Sequence, residues 1–102
     1  MIDLSTLDGF EWDSWNREKN SAQHNVEWTE AEEAFLSVPR LVLPDEKHSQ
    51  AETRLAVLGR TLADRKLVVV FTIRNNRIRV ISARDMSKKE RKLYNETLEK
   101  NP

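Results

Sequence analysis

Three polar residues of types that act in acid–base chemistry lie close together in the chain, namely His48, Glu52 and Arg54. A histidine or a carboxylate can exchange a proton, and an arginine can stabilise negative charge on a reacting group. Cleavage of an RNA phosphodiester without a metal ion needs these functions, because the 2′-hydroxyl loses a proton, the 5′-oxygen gains one and the phosphorane is anionic. Glu52 and Arg54 are two residues apart and would share a face if both lay on a strand, so a cross-strand or same-face ion pair without a catalytic role is the simpler interpretation of their spacing.

A second group of basic residues follows in the C-terminal half of the chain. Arginine presents a planar fork of donors that matches the oxygens of a phosphate group. The pattern fits contacts with a phosphodiester backbone, and it fits equally well a solvated basic face or a docking surface for an acidic protein. The residues of this group are Arg74, Arg77, Arg79, Arg84, Lys88, Lys89, Arg91 and Lys92.

A predicted β-hairpin positions the arginines of this group. Residues 66–74 are rich in β-branched and apolar side chains and predict a strand, with residues 77–83 as its partner. Asn75 and Asn76 tolerate positive φ and predict a two-residue turn. That turn pairs Arg74 with Arg77, Ile73 with Ile78, Thr72 with Arg79, Phe71 with Val80 and Val70 with Ile81. We therefore expect three arginines on one face of the sheet, opposite an apolar face that helices cover.

The remaining segments predict further helices and short strands. Helices are expected over residues 14–23, 28–37 and 88–99, and strands over residues 10–12, 41–43 and 54–58. Capping-box spacing at Thr29 and Glu32, and again at Ser87 and Glu90, predicts where two of the helices begin, although the first of them could begin one or two residues earlier. Gly59 is expected to lie beyond its strand, and the polar residues after Pro44 predict a loop. The predicted class is α+β, a small antiparallel sheet packed with N-terminal helices and a C-terminal helix.

The charges are divided between the two halves of the chain. The 102 residues hold 17 acidic and 17 basic side chains, so the formal net charge is zero. Residues 1–53 contain 12 acidic and 4 basic residues, a net of −8, whereas residues 54–92 contain 12 basic and 3 acidic residues, a net of +9. This asymmetry indicates an electrostatic role that the total conceals. The length predicts a single domain over residues 1–102.

Several other classes of protein are not expected. The chain has no cysteine, and its two histidines lack metal-ligand spacing, so no metal and no cofactor are predicted. No apolar run is long enough to cross a membrane, and the first residues lack the features of a signal peptide, which favours a cytoplasmic protein. Trp12, Trp15 and Trp28 could stack on bases, although burial against the sheet is the preferred interpretation, since Trp12 and Trp28 flank predicted elements.

Several sequence blocks resemble the BrnT family of ribonuclease toxins from bacterial type II toxin–antitoxin modules. The opening block is Phe10-Glu11-Trp12-Asp13, followed by Asn20, His24 and Val26. The central block is His48-Ser49-x-x-Glu52-x-Arg54 with Gly59, and the last and most specific block is Arg79-Val80-Ile81-Ser82-Ala83-Arg84 with Glu90-Arg91 and Tyr94. The family usually has proline at Ser14, lysine at Asn16 and Gln23, and glycine at Asn25.

The resemblance implies a RelE-like toxin fold, RNA cleavage that inhibits translation and neutralisation by a BrnA-like ribbon-helix-helix antitoxin. Operator DNA would be bound only through that antitoxin. The family's polar residues fall on His48, Glu52, Arg54, Arg79 and Arg84.

Residues and resemblance together predict a metal-independent endoribonuclease. Arg79 and Arg84 would hold the scissile phosphate, either Glu52 or His48 would transfer the proton, and Arg54 would position that group or the phosphate. The basic residues at 74, 77, 88, 89, 91 and 92 would be auxiliary RNA contacts. The alternative is a weak or inactive toxin homologue that binds an antitoxin within a transcriptional repressor complex.

Overall fold

A computed structural model of the chain describes residues 7–12, 25–45 and 53–100. These residues form strands β1 (Phe10–Glu11), β2 (Leu41–Pro44), β3 (Leu55–Arg60), β4 (Lys66–Arg74) and β5 (Arg77–Asp85), and helices α1 (Trp28–Leu36) and α2 (Lys88–Lys100). The α+β class is therefore confirmed. The predicted helix over residues 14–23 lies outside the described residues, as do His48, Glu52 and the positions of the missing family lysines.

The five strands form one sheet in the order β1-β5-β4-β3-β2. The pairs from β2 to β5 are antiparallel, as predicted. The edge strand β1 instead runs parallel to β5, with Phe10 opposite Ile78 and Glu11 opposite Arg79. The sheet is consequently mixed, and its N-terminal strand lies directly beside the strand that carries Arg79 and Arg84.

The β4–β5 hairpin has the predicted turn but one unpredicted irregularity. Asn75 and Asn76 have φ of 53° and 60°, as a two-residue turn of this type requires. The four predicted pairs nearest the turn are all present. The predicted pair of Val70 with Ile81 is wrong, because a β-bulge leaves Ile81 out of the ladder and sets Val70 opposite Ser82.

Helix α1 covers one face of the sheet and builds the larger core there. Its Phe35 ring packs edge-to-face on Phe71 of β4 at 5.0 Å between centroids, and on Phe10 of β1 at 5.2 Å. Buried aliphatic residues such as Val57 and Val80 complete this layer. The alternation of apolar residues in the hairpin thus has its expected consequence, an apolar face covered by a helix.

Helix α2 packs on the opposite face and covers only part of it. Its buried Tyr94 joins Leu58, Val68 and Met86 in a smaller cluster. The Tyr94 hydroxyl donates a hydrogen bond to the carbonyl oxygen of Pro39 at 2.8 Å, which ties the helix to the chain before β2. The uncovered part of this face is the open surface on which the candidate site lies.

Gly59 lies within β3, not beyond it as predicted, and it sets the distance between α1 and the sheet. A Cβ atom at this position would collide with the carbonyl oxygen of Ala34 and with Oγ of Ser37. The strand continues to Arg60, whose backbone N–H donates to Ser37 Oγ at 3.2 Å. Glycine is thus required by close packing of the helix on the strand.

One of the two predicted capping boxes is confirmed. Ser87 Oγ accepts from the backbone N–H of Glu90 at 3.2 Å, and the Glu90 carboxylate accepts from the backbone N–H of Ser87 at 2.8 Å, so α2 begins as expected. The box at Thr29 and Glu32 is not formed, and the earlier start is confirmed, because α1 begins at Trp28 and its N-cap is Glu27. The Glu30 carboxylate accepts from the backbone N–H of Glu27 at 3.1 Å.

Arg65 connects the start of β4 to α1 and to the end of β5. It forms a bidentate ion pair with Asp85 at 2.8 and 3.0 Å, and it also pairs with Glu30 at 3.2 Å. These ion pairs raise the pKa of the Arg65 guanidinium. The end of β5, which carries Arg84, is therefore held in a defined position.

Across residues 7–12, 25–45 and 53–100, neither helix combines the length and the apolar composition that a membrane span requires.

Candidate functional site

The β-bulge at Ile81 puts Arg79 and Arg84 on the same face of the sheet. These residues are five positions apart, so a regular strand would point them to opposite faces. With the bulge, Arg79 lies opposite Thr72 and Arg84 lies opposite Val68, and these two partners share one side of β4. Both arginines consequently lie on the α2 side of the sheet, with Arg74 and Arg77 near the turn.

A cleft of about 470 Å³ opens on this face between the sheet, the end of β2 and the beginning of α2. Half-buried apolar side chains form its floor, and the hydroxyl-bearing Ser82 lies among them. Two arginines and two carboxylates complete the lining, namely Arg54, Arg84, Asp45 and Glu90. The cleft therefore combines an apolar surface with cations that can bind an anion.

Arg84 and Glu90 form the best-defined ion pair of the cleft. Nη1 of Arg84 donates to Glu90 Oε1 at 2.8 Å, and Nη2 donates to Oε2 at 3.0 Å. The hydrogen bonds from Arg84 lower the pKa of the Glu90 carboxyl to about 2, and those from Ser87 add to this effect. The same pairing raises the pKa of the Arg84 guanidinium. Both groups are therefore charged at neutral pH.

The pairing leaves one edge of the Arg84 guanidinium available. An arginine has five N–H donors, and Glu90 uses the end of the fork through Nη1 and Nη2. The carbonyl oxygen of Asp85 accepts a further bond from Nη1 at 3.2 Å. Among the described residues, no partner engages Nε–H or the second Nη2–H, and 43% of the side chain is exposed. This edge has the geometry for bidentate binding of a phosphate.

Arg79 lies on the same face but does not line the cleft. Its Nη1 is 3.4 Å from Oε1 of Glu11, its neighbour on β1. On β4, Thr72 lies opposite Arg79 and Val68 lies opposite Arg84. These two partners are four residues apart, so the backbones of Arg79 and Arg84 are roughly 13 Å apart along the strand. Arg74 and Arg77, next along the face, are exposed at the turn. Arg74, Arg77, Arg79 and Arg84 thus form a row along the sheet, called the arginine row below.

Four exposed cations lie in the first turns of α2, and they are Lys88, Lys89, Arg91 and Lys92. Positive side chains are unfavourable at the N-terminus of a helix, because that end already carries the positive pole of the helix dipole. Glu90 offsets only part of this charge. The first turns of α2 are therefore an anion-attracting region next to the cleft.

The ends of the segment that holds His48 and Glu52 lie at the cleft. The backbone N–H of Asp45 donates to the carbonyl oxygen of Arg54 at 2.9 Å, which extends the β2–β3 ladder beyond its last assigned pair. Both residues line the cleft. Of the three residues that the sequence groups together, Arg54 therefore lies in the cleft. His48 and Glu52 lie outside the described residues.

The described tryptophans have structural contacts. Trp12 Nε1 donates to Glu32 Oε2 at 2.7 Å, and its ring packs edge-to-face on Trp28 at 6.5 Å. This arrangement agrees with burial beside α1 and leaves neither ring on the arginine-bearing face.

A second, larger cleft of about 690 Å³ lies between the end of α1 and the β3–β4 turn. Its lining includes Glu33 and Asp64 and the exposed apolar side chains of Leu36, Val38 and Leu62. Arg60 also lines this cleft, but the two carboxylates outnumber it, which makes the cleft a poorer site for a phosphodiester. Within the described ranges, no three histidine, aspartate or glutamate side chains cluster as metal ligands would.

Sequence reasoning did not assign Asp45, Ser82 or Glu90 to the site. The capping-box spacing predicted that Glu90 turns back toward the start of α2, but its contact with Arg84 depends on how β5 and α2 meet. Ser82 was missed because the bulge was missed. The sequence contains one signal for the bulge, since the apolar positions of β5 are Ile78, Val80, Ile81 and Ala83, and the adjacent pair at 80 and 81 breaks strict alternation.

Comparison with known proteins identifies one family. A family model described as the ribonuclease toxin BrnT of type II toxin–antitoxin systems matches residues 12–90, which is more than half of the chain. The matched region runs from the end of β1 to Glu90 and includes Arg54, Arg79 and Arg84. A search among curated proteins finds no match.

Proposed function

Because this chain belongs to the BrnT family of ribonuclease toxins of type II toxin–antitoxin systems, we propose that it cleaves RNA on the arginine-bearing face of its sheet without a metal ion. The observation that carries this proposal is the bulge at Ile81, which puts Arg84 on the same face as Arg79, beside a cleft that Arg54 and Arg84 line. A fold that needed only a hairpin would not require the bulge, and bulges often re-aim side chains at functional sites.

The proposed reaction is attack of a ribose 2′-hydroxyl on the adjacent phosphorus. The 2′-oxygen loses its proton to Glu52 or His48 and bonds to phosphorus, the bond to the 5′-oxygen breaks, and that oxygen takes a proton from water. The products are a 2′,3′-cyclic phosphate and a free 5′-hydroxyl. The position of Glu52, two residues before Arg54 and seven after Asp45 in a segment whose ends line the cleft, supports this assignment.

The arginines supply the positive charge that the reaction needs. The free edge of Arg84 is suited to the scissile phosphate, whose charge increases in the phosphorane. Arg54 helps to position the phosphate or the proton-transfer group. The separation of Arg79 from Arg84 along the strand favours binding of a neighbouring phosphate by Arg79, with Arg74, Arg77 and the basic first turns of α2 as further contacts.

The type II family implies an antitoxin as the protein partner. We propose that a BrnA-like ribbon-helix-helix antitoxin covers the arginine-bearing face and that operator DNA is bound only through it. Free of the antitoxin, the toxin would inhibit translation by destroying RNA, and its place of action would be the cytoplasm.

A second candidate function is favoured by the ion pairs of the site. Glu90 and Glu11 engage the two arginines proposed to bind phosphate, and each carboxylate reduces the positive potential that RNA meets. A weak or inactive homologue that only binds its antitoxin in a repressor complex is consistent with this arrangement.

Cleavage assays in EDTA separate the two candidates. We expect the wild type to degrade RNA in EDTA, and Arg84→Ala and Arg79→Ala to lose activity, with a loss of about 100-fold or more for Arg84 because a developing charge loses its donors. Arg84→Lys should recover little activity, since a lysine lacks the fork.

The matched control is Lys100→Ala, which removes one positive charge from the last turn of α2. It should cleave RNA at the wild-type rate, and melting temperatures should show that all variants are folded. Equal cleavage by Arg84→Ala and wild type would contradict the proposed role of Arg84. Loss of wild-type activity in EDTA would contradict the metal-free mechanism, and an inactive wild type would favour the second candidate.

A further inference from the structure

The cleft has an apolar floor that phosphate binding does not explain. Ala56, Val70 and Ile81 line it and are half-buried, whereas Leu58 and Val68, which also line it, are buried. Exposed apolar surface costs free energy, at about 25 cal/mol per Å². A ligand that places a flat, apolar group on this floor would recover that free energy.

The charges lining the cleft favour a ligand that is mostly neutral. Arg54 and Arg84 are balanced by Asp45 and Glu90, so a run of phosphates gains little net attraction inside the cleft. A single phosphate can still bind the free edge of Arg84. Further exposed cations lie outside the cleft, near the turn and on the first turns of α2.

The size of the cleft and its polar groups restrict the class of ligand further. The volume of about 470 Å³ lies within the range of small-molecule sites, roughly 300–1,000 Å³. The hydroxyl of Ser82 can donate to or accept from the edge of a ring lying on the floor. An apolar face, a polar edge and one phosphate are the parts of a nucleotide.

We infer that this cleft binds one nucleotide of the RNA, with its base on Ala56, Val70 and Ile81 and its phosphate at Arg84, so that the base and Ser82 determine where the RNA is cut. This inference rests on the proposed function for the identity of the ligand. The bulge at Ile81 is then what joins the base subsite to the phosphate site, because it brings Ser82 and Arg84 to this face.

Binding of small probes tests the subsite without any cleavage. We would titrate the full chain with the four nucleoside 3′-monophosphates and with ribose 5-phosphate, which has no base, and follow backbone amides by NMR. At least one nucleotide should bind about tenfold more tightly than ribose 5-phosphate and should shift the amides of Val70, Ile81 and Ser82.

Ala56→Leu fills the floor of the cleft, and Ala63→Leu adds the same bulk at the exposed β3–β4 turn as a matched control. Ala56→Leu should remove the advantage of nucleotides over ribose 5-phosphate, and Ala63→Leu should keep it. If Ala56→Leu does not fold, Ser82→Ala replaces it and should change the affinity ranking of the four nucleotides.

Equal binding of ribose 5-phosphate and all four nucleotides would overturn the inference. An unchanged nucleotide preference in a folded Ala56→Leu variant would also overturn it. If Ser82→Ala replaces that variant, an unchanged affinity ranking of the four nucleotides would do the same. Failure of the proposed function looks different. A chain that binds nucleotides through the cleft and leaves RNA uncut contradicts catalysis alone, and a chain that cuts RNA without a preference for nucleotides contradicts the subsite alone.

Discussion

The guanidinium of Arg84 has two donor edges, and Glu90 engages one of them. This contact orients the side chain at the mouth of the cleft and costs Arg84 part of its attraction for an anion. Because Glu90 also caps α2 through Ser87, the same carboxylate joins the orientation of Arg84 to the beginning of the helix. A single side chain therefore has both a structural role and a positioning role.

The low pKa of Glu90 predicts a pH-dependent contribution to stability. A folded-state pKa of about 2, below the ordinary value of 4.5, means that stabilisation is present above pH 4.5 and is lost as the pH falls through 2. Glu90→Gln should lower the free energy of unfolding at pH 7 by about 1–2 kcal/mol, because a partly exposed charged hydrogen bond is removed while glutamine retains the cap.

Urea unfolding measured from pH 7 down to pH 2 checks this expectation. Glu90→Gln should show a shallower loss of stability below pH 5 than the wild type. Glu96→Gln, at an exposed position of the same helix, is the control and should keep the wild-type slope. An unchanged slope in Glu90→Gln would show that the ion pair does not form in solution.

At the scale of elements, the position of α1 depends on a glycine in β3. Gly59→Ala should destabilise the protein by about 1–3 kcal/mol, because the added methyl group meets the backbone carbonyl of Ala34, which cannot move without shifting the helix. Thermal unfolding measures this loss. A melting temperature equal to that of the wild type would mean that α1 lies farther from the sheet than the structure shows.

The hairpin illustrates how far local patterns predict an element. Strand β4, the Asn75-Asn76 turn and the four pairs nearest the turn follow from period-two alternation and from the φ preference of asparagine. The bulge did not follow from that alternation, because Ile81 is apolar and fits either face of a strand. Its position is set by burial of Val80 and Ala83 on the α1 side, which requires one extra residue between them.

At the scale of the whole molecule, the net charge of zero is the sum of two different surfaces. Acidic Glu30, Glu32 and Glu33 lie on α1, which packs on one side of the sheet, and the arginine row lies on the other. Electrostatic interactions between exposed groups fall off within about 8 Å at physiological salt, so RNA on the arginine face meets mainly the arginines.

RNA affinity should therefore depend steeply on salt even though the net charge is zero. Arg77→Ala should weaken binding and reduce the slope of log K against log salt by about 0.7, the value for loss of one phosphate contact on a single strand. Fluorescence anisotropy at several salt concentrations measures the slope. Lys100→Ala should leave it unchanged, and an equal reduction in both variants would mean that total charge, not the arginine row, governs binding.

The amino-acid sequence was sufficient for the α+β class, most element positions, the hairpin register near its turn and the family, because these depend on local periodicity, turn preferences and motif spacing. Only the tertiary structure decided three features of the site. These are the position of Arg84 on the same face as Arg79, the Arg84–Glu90 pair and the apolar floor of the cleft. They arise where burial of Ala83 on one face changes the register of β5, and where α2 meets the strand it follows. Such long-range packing leaves little trace in the spacing of neighbouring residues.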